Sequence, residues 1–305
     1  MSFRERFTVG LGTALMISVS PFTLVAEDNS SMNPYFTAVS YTLPKDMLMA
    51  MGLADLQSAR YSSNFVTGMG MVQYGITSWW TAGIMVEGQK IEGLPITYAG
   101  ERINTFFKVF PHDDMVNLTL YGEYEHLNAA ALYKMEVAGF GGENLTSPLG
   151  EARRTPVRTI EGRAIMYHDW GRTNATFNFI SETGLDSKEN DFGYALGIFR
   201  NPEWTGMAME AGMDGMSGMT ASSPPPLLSL RRLGYGVEMI GALGNSKHFG
   251  IYWQREQQYL GPVFTYAISR NWSAHVEPAF GLSDVSDPFV FRMGLSYSLD
   301  RLMHR

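Results

Sequence analysis

Five methionines crowd one short stretch of the chain, GMAMEAGMDGMSGM: Met207, Met209, Met213, Met216 and Met219. Thioether sulfur is a soft donor suited to Cu(I), and a glycine-rich backbone lets several such donors converge on one ion. Glu210 and Asp214 could add oxygen ligands. The plainer alternative is a Gly- and Met-rich loop, followed by Pro224–Pro226, that binds nothing. His126, His168 and His248 are too scattered to add to the set, and Met47, Met49 and Met51 read as one face of a strand. Ser273 and His275, two residues apart, pair a nucleophile with a base, but no acid or oxyanion-hole motif accompanies them. His112-Asp113-Asp114 falls where aspartate is a turn former. No enzymatic activity is expected. What is left is a set of dispersed ionisable residues: Glu87, Arg102, Lys108, Glu123, Glu125, Glu161, Arg163, Glu238, His275, Glu277 and Arg292.

The segments that carry these residues alternate with period two. In Phe289–Leu299 the odd positions are Phe, Phe, Met, Leu, Tyr and Leu, while the even ones include Arg292, Gly294 and Ser296. Trp272–Leu282, Leu233–Leu243 and Val116–Glu125 behave alike, each with one apolar face. A soluble sandwich also alternates, but its strands commonly run about 5–6 residues, whereas a bilayer-crossing strand needs about 9–11. The longer length fits here, and Trp80, Tyr266, Trp272 and Tyr297 sit near segment ends, as an interfacial girdle requires. If the apolar faces meet lipid, the ionisable set faces the lumen, because a charge on the lipid side at the midplane costs up to about 2–4 kcal/mol. Hairpin pairing then places Arg102 opposite Glu123 and Glu277 diagonal to Arg292. Such a lining favours cations or polar solutes, and the competing reading is an ion-paired plug.

Composition agrees. Hydrophobic residues make up 45% of the 305, yet mean hydropathy is only -0.10, so apolar residues are dispersed among polar ones. A net charge of -7 argues against nucleic acid as a partner. The absence of cysteine excludes disulfides, thiolate zinc sites and thiol nucleophiles. Arg4 and Arg6, an apolar stretch from Phe7 to Val25 and Ala26 before Glu27-Asp28 together describe a secretory signal over residues 1–26.

Twelve segments have suitable length, at 46–57, 66–76, 79–90, 102–110, 115–126, 158–169, 173–184, 190–200, 232–243, 257–268, 272–283 and 289–299, and the short connections at Thr77-Ser78, Pro111–Asp114, Trp170–Arg172 and Ser269–Asn271 all fall on one side if these alternate up and down. That side is periplasmic by the usual asymmetry of loop lengths. The long connection 201–231 falls there too, which is unusual and leaves fourteen strands as the alternative count.

Three segments, YGITSWWTAG from Tyr74, LGPVFTYAIS from Leu260 and FGLSDVSDPFVFRMGLSYSL from Phe280, resemble bacterial outer-membrane barrels grouped around the MetA-pathway phenol-degradation transporters. The resemblance implies an outer-membrane barrel acting as a channel and carries over no catalytic residue. The last strand, RMGLSYSL from Arg292 to Leu299, also resembles the signal read by the barrel-assembly machinery, although Asp300–Arg305 continues past it. The expectation is thus an all-β antiparallel transmembrane barrel over residues 27–305, serving as a passive channel or transporter for small solutes. Its partners would be outer-membrane lipid, the barrel-assembly machinery and the solutes. The alternatives are copper or silver handling through the Met-rich loop, with Cu(I) the only cofactor in view, and a closed structural barrel.

Overall fold

The computed structural model describes residues 37–38, 42–60, 63–110, 116–128, 157–186, 188–204 and 224–299. The signal segment and the five loop methionines lie outside these residues. Twelve strands form one closed antiparallel barrel. They are β1 (Leu48–Ser58), β2 (Phe65–Thr77), β3 (Trp80–Ile91), β4 (Thr97–Lys108), β5 (Asn117–Leu127), β6 (Val157–Trp170), β7 (Thr173–Gly184), β8 (Asn190–Arg200), β9 (Leu233–Asn245), β10 (Gln258–Ala267), β11 (Trp272–Gly281) and β12 (Phe289–Leu299). Each pairs with its sequence neighbour, and β1 closes the ring on β12 in a ladder from Leu48↔Leu299 to Ser58↔Phe289. Closure matters because hydrocarbon offers no partner for a bare sheet edge.

The period-two pattern becomes two unlike walls. In β5 every odd residue from Asn117 to Leu127 is buried and the even ones are not. Outside, Ile84, Ile103, Ile160 and Ile198 stand exposed. Aromatic pairs gather at both ends of this apolar wall. Trp80 stacks on Phe107 at 5.7 Å and Trp272 meets Tyr297 at 4.9 Å near the end that carries the first residues of β1 and the last of β12. At the far end Phe280 lies 5.4 Å from Phe289 and Phe192 lies 5.3 Å from Phe249. An apolar band between aromatic girdles is the surface that lipid requires.

Twelve strands, not fourteen, close the barrel, and the 201–231 connection does join strands at the end where the short turns lie. Asn201 N–H bonds to Arg172 O at 2.7 Å, inside the turn that links β6 to β7. That turn is two residues long, and Gly171 adopts φ +58, the left-handed backbone that primed hairpin turns need. The long connection is pinned rather than loose at its described ends. Buried Arg232 donates to Pro225 O, Ala267 O and Ile268 O and lies 4.1 Å from the Trp204 ring centre. At the far end the 246–257 connection tucks Glu256 into a fully buried position, and burial pushes its carboxyl upward against the opposing bond from Tyr252 N–H.

Ile84 and Ile103 face each other across β3 and β4 near mid-strand. Replacing either by Arg should cost about 2–4 kcal/mol of folding free energy, measured by denaturant titration in lipid vesicles. Val66→Arg, near a strand end opposite the exposed Lys90, should cost only about 0–1 kcal/mol.

Candidate functional site: the charged barrel interior

The buried parity of the strands gathers ionisable groups around three arginines. Arg102 on β4 is the hub of the first cluster. Its Nη2 lies 2.6 Å from Glu87 Oε1 on β3 and 2.7 Å from Glu125 Oε1 on β5, while Nη1 lies 3.1 Å from Glu123 Oε1. Further bonds hold these carboxylates in place: Tyr121 OH donates to Glu123, and Thr159 Oγ1 donates to Glu125 Oε2 at 2.8 Å. Arg163 on β6 pairs with Glu161 and sits 5.0 Å from the Tyr121 ring centre. The planar guanidinium suits this role, since its fork of donors meets several carboxylates at once.

The second cluster belongs to the opposite part of the ring. Arg292 on β12 lies 3.3 Å from Asp55 Oδ2 on β1 and 3.9 Å from Glu277 Oε2 on β11. A piece of chain ahead of β1 joins the clusters. Thr37 and Ala38 are buried within the ring. Their backbone N–H groups donate to Glu238 on β9, Thr37 N at 2.8 Å; Thr37 O accepts from Arg163 Nη1, and Thr37 Oγ1 accepts from Arg292 Nη1. One residue is therefore tied to β6, β9 and β12.

Beside the charges lies an apolar layer. Ala38 packs with Ile180, Ala195, Phe199, Ile240, Tyr259, Val263, Ala279 and Val290. Phe199 fits only because its neighbour on β9 is glycine: a Cβ at Gly236 would come within 2.7 Å of Phe199 Cα and Cδ2. Nearer the terminal end, His275 engages three hydroxyls, with Nε2 at 2.8 Å from Ser273 Oγ and 3.2 Å from Ser296 Oγ, and Nδ1 at 3.2 Å from Thr265 Oγ1. The second nitrogen thus meets a hydroxyl where a catalytic triad would place a carboxylate. Lys108 ends β4 half-buried, opposite Thr119.

The structure brings most of the sequence-derived residues into these groups, with two changes of register. Arg102 stands directly opposite Glu125, with Glu123 the diagonal neighbour, and Glu277 stands directly opposite Arg292. Each differs by two residues from the hairpin estimate, a slip that preserves the face and changes only which partner is nearest. Asp55 and Thr37 were not foreseen as members. Asp55 shares the odd parity of Met49 and Met51 and was legible in that pattern. Thr37 lies outside any alternating segment and left no such signal.

A closed ring of this size, apolar without and charged within, defines a transmembrane β-barrel of the outer-membrane class. No protein-family model and no curated protein matches the sequence. Among solved structures the chain is similar in fold to the COG4313 outer membrane channel from Pseudomonas putida F1, with a TM-score of 0.50 at 11% identity over 85% of this chain and 96% of that one. A KdgM porin in complex with disordered oligogalacturonate gives 0.49 at 7% identity over 82% and 99%. OccAB1 from Acinetobacter baumannii gives 0.36 at 11% identity over 85% and 66%.

Arg102→Met should destabilise the barrel by about 3–5 kcal/mol, because it strands carboxylates in a buried site. Arg102→Lys should recover part of this loss, since one ammonium cannot replace the guanidinium fork. Denaturant unfolding of the two variants in vesicles measures both.

Proposed function

We propose that the protein is a passive outer-membrane channel for small solutes whose interior favours cations and polar molecules. The observation that carries this reading is the excess of carboxylates over arginines inside the ring. Glu87, Glu123 and Glu125 surround Arg102, while Asp55 and Glu277 flank Arg292 and Glu238 shares its Thr37 partner. Rings of acidic side chains bias a pore toward cations. The resemblance of three segments to the MetA-pathway transporters supports a role in solute uptake. Export by a cleaved signal over residues 1–26, and assembly through recognition of the last strand by the barrel-assembly machinery, belong to the same proposal.

A second reading, a closed structural barrel, draws on the buried Thr37–Ala38 segment and the apolar layer packed against it. The copper-handling reading draws on Met207, Met209, Met213, Met216 and Met219, which lie outside the described residues.

Planar-bilayer recording separates the two supported readings. The refolded chain should open steadily, with a reversal potential toward the cation value in a salt gradient. Replacing Glu123, Glu125 and Glu277 together by Gln should shift that potential toward zero. Glu238→Ala, which removes the acceptor of the Thr37 and Ala38 N–H groups, should raise conductance. A silent bilayer from correctly folded protein, before and after Glu238→Ala, would favour the structural barrel.

A further inference from the structure

We propose that the inner wall formed by β1, β2 and β3 holds a binding site for a soft monovalent cation, Cu(I) or Ag(I), built from methionine thioethers. Met51 on β1 stands directly opposite Met71 on β2, and Met71 stands directly opposite Met85 on β3. Met69 follows on the same face of β2, two residues from Met71. The face is the interior one: it is shared with Asp55, which binds Arg292, and with Glu87, which binds Arg102. Directly opposed residues have Cβ atoms about 4.5–5.5 Å apart, so three flexible thioether arms on adjacent strands can turn their sulfurs toward one point beside Met71.

The distribution of residue types over these strands sets ligand apart from filler. On their outward face they carry Val66, Val72, Ile84 and Val86 and no methionine. Inside, the mid-strand apolar positions are methionine with the single exception of Leu53. Branched aliphatics would fill space equally well and fix their rotamers better, whereas only methionine adds a soft donor. Among the described strand residues, interior methionines occur on β1–β3 alone; Met166, Met239 and Met293 are on the outward parity of β6, β9 and β12. Met51, Met69, Met71 and Met85 are also only partly buried, unlike the tightly enclosed Glu123 and Glu125, so the row borders open interior space.

This site does not depend on the channel reading, and binding rather than conductance tests it. The probe is silver nitrate, titrated calorimetrically into the refolded full chain in chloride-free detergent buffer. A variant with leucine at Met207, Met209, Met213, Met216 and Met219 should still bind Ag(I). Adding Met51→Leu, Met71→Leu and Met85→Leu should abolish that binding. Met71→Leu alone, the mildest change at the centre of the row, should weaken it at least tenfold, with circular dichroism confirming the barrel in each case. Loss of all Ag(I) binding on replacing the loop methionines alone would overturn the proposal, as would undiminished binding in the folded Met71→Leu and triple-leucine proteins.

Discussion

Pairing of β1 with β12 is the constraint on which everything else rests. Every strand-edge amide left open in a bilayer core would cost several kcal/mol, so the sheet must close or fail to cross. Once it closes, side chains have only two environments, and a parity of one residue separates them. The Leu48↔Leu299 to Ser58↔Phe289 ladder fixes that parity around the whole ring, because each further hairpin inherits its faces from the previous one. This is why Asp55 on the first strand and Arg292 on the last meet inside, 3.3 Å apart, though 237 residues separate them.

Inside the ring, chemistry divides by sector. The arc from β3 to β6 is charged, with Arg102 and Arg163 facing Glu87, Glu123, Glu125 and Glu161. Much of the arc from β7 to β12 is lined by small or apolar groups around Phe199 and Tyr259, with Glu238, Glu277 and Arg292 as its ionic centre. Methionines line the arc between these two, with Met51 on β1, Met69 and Met71 on β2, and Met85 where β3 borders the charged arc. Buried ion pairs are weak sources of stability and become costly once a partner is missing, so such clusters persist where position matters. Thr37 gives that position a physical form, since it binds Arg163, Glu238 and Arg292 together and spans the interior between the clusters.

The alternation in the sequence carried the fold a long way. The predicted segments 173–184, 190–200 and 289–299 coincide with β7, β8 and β12, because each is a clean run between turn residues. The strand β4 begins at Thr97, ahead of the expected 102, because Ala99 and Gly100 blur the alternation where the β3–β4 register shifts at Glu87/Gly88. Which residues share the inner face followed from parity. Who touches whom did not, since a two-residue slip leaves the pattern unchanged and exchanges Glu123 for Glu125 opposite Arg102. Contacts through Thr37 come from tertiary placement of a segment with no period of its own, and local sequence holds no record of them.

The chain contains no cysteine, so one introduced thiol reports on one wall. On the proposed function the inner face bounds a path for solutes while the outer face meets lipid. Single-channel recording of Met71→Cys and Ile84→Cys, before and after a charged thiol-specific reagent, tests it most directly. A stepwise, irreversible fall in current is expected for Met71→Cys and none for Ile84→Cys. An unaltered current from conducting Met71→Cys barrels, with the thiol shown to be modified afterwards, would contradict it.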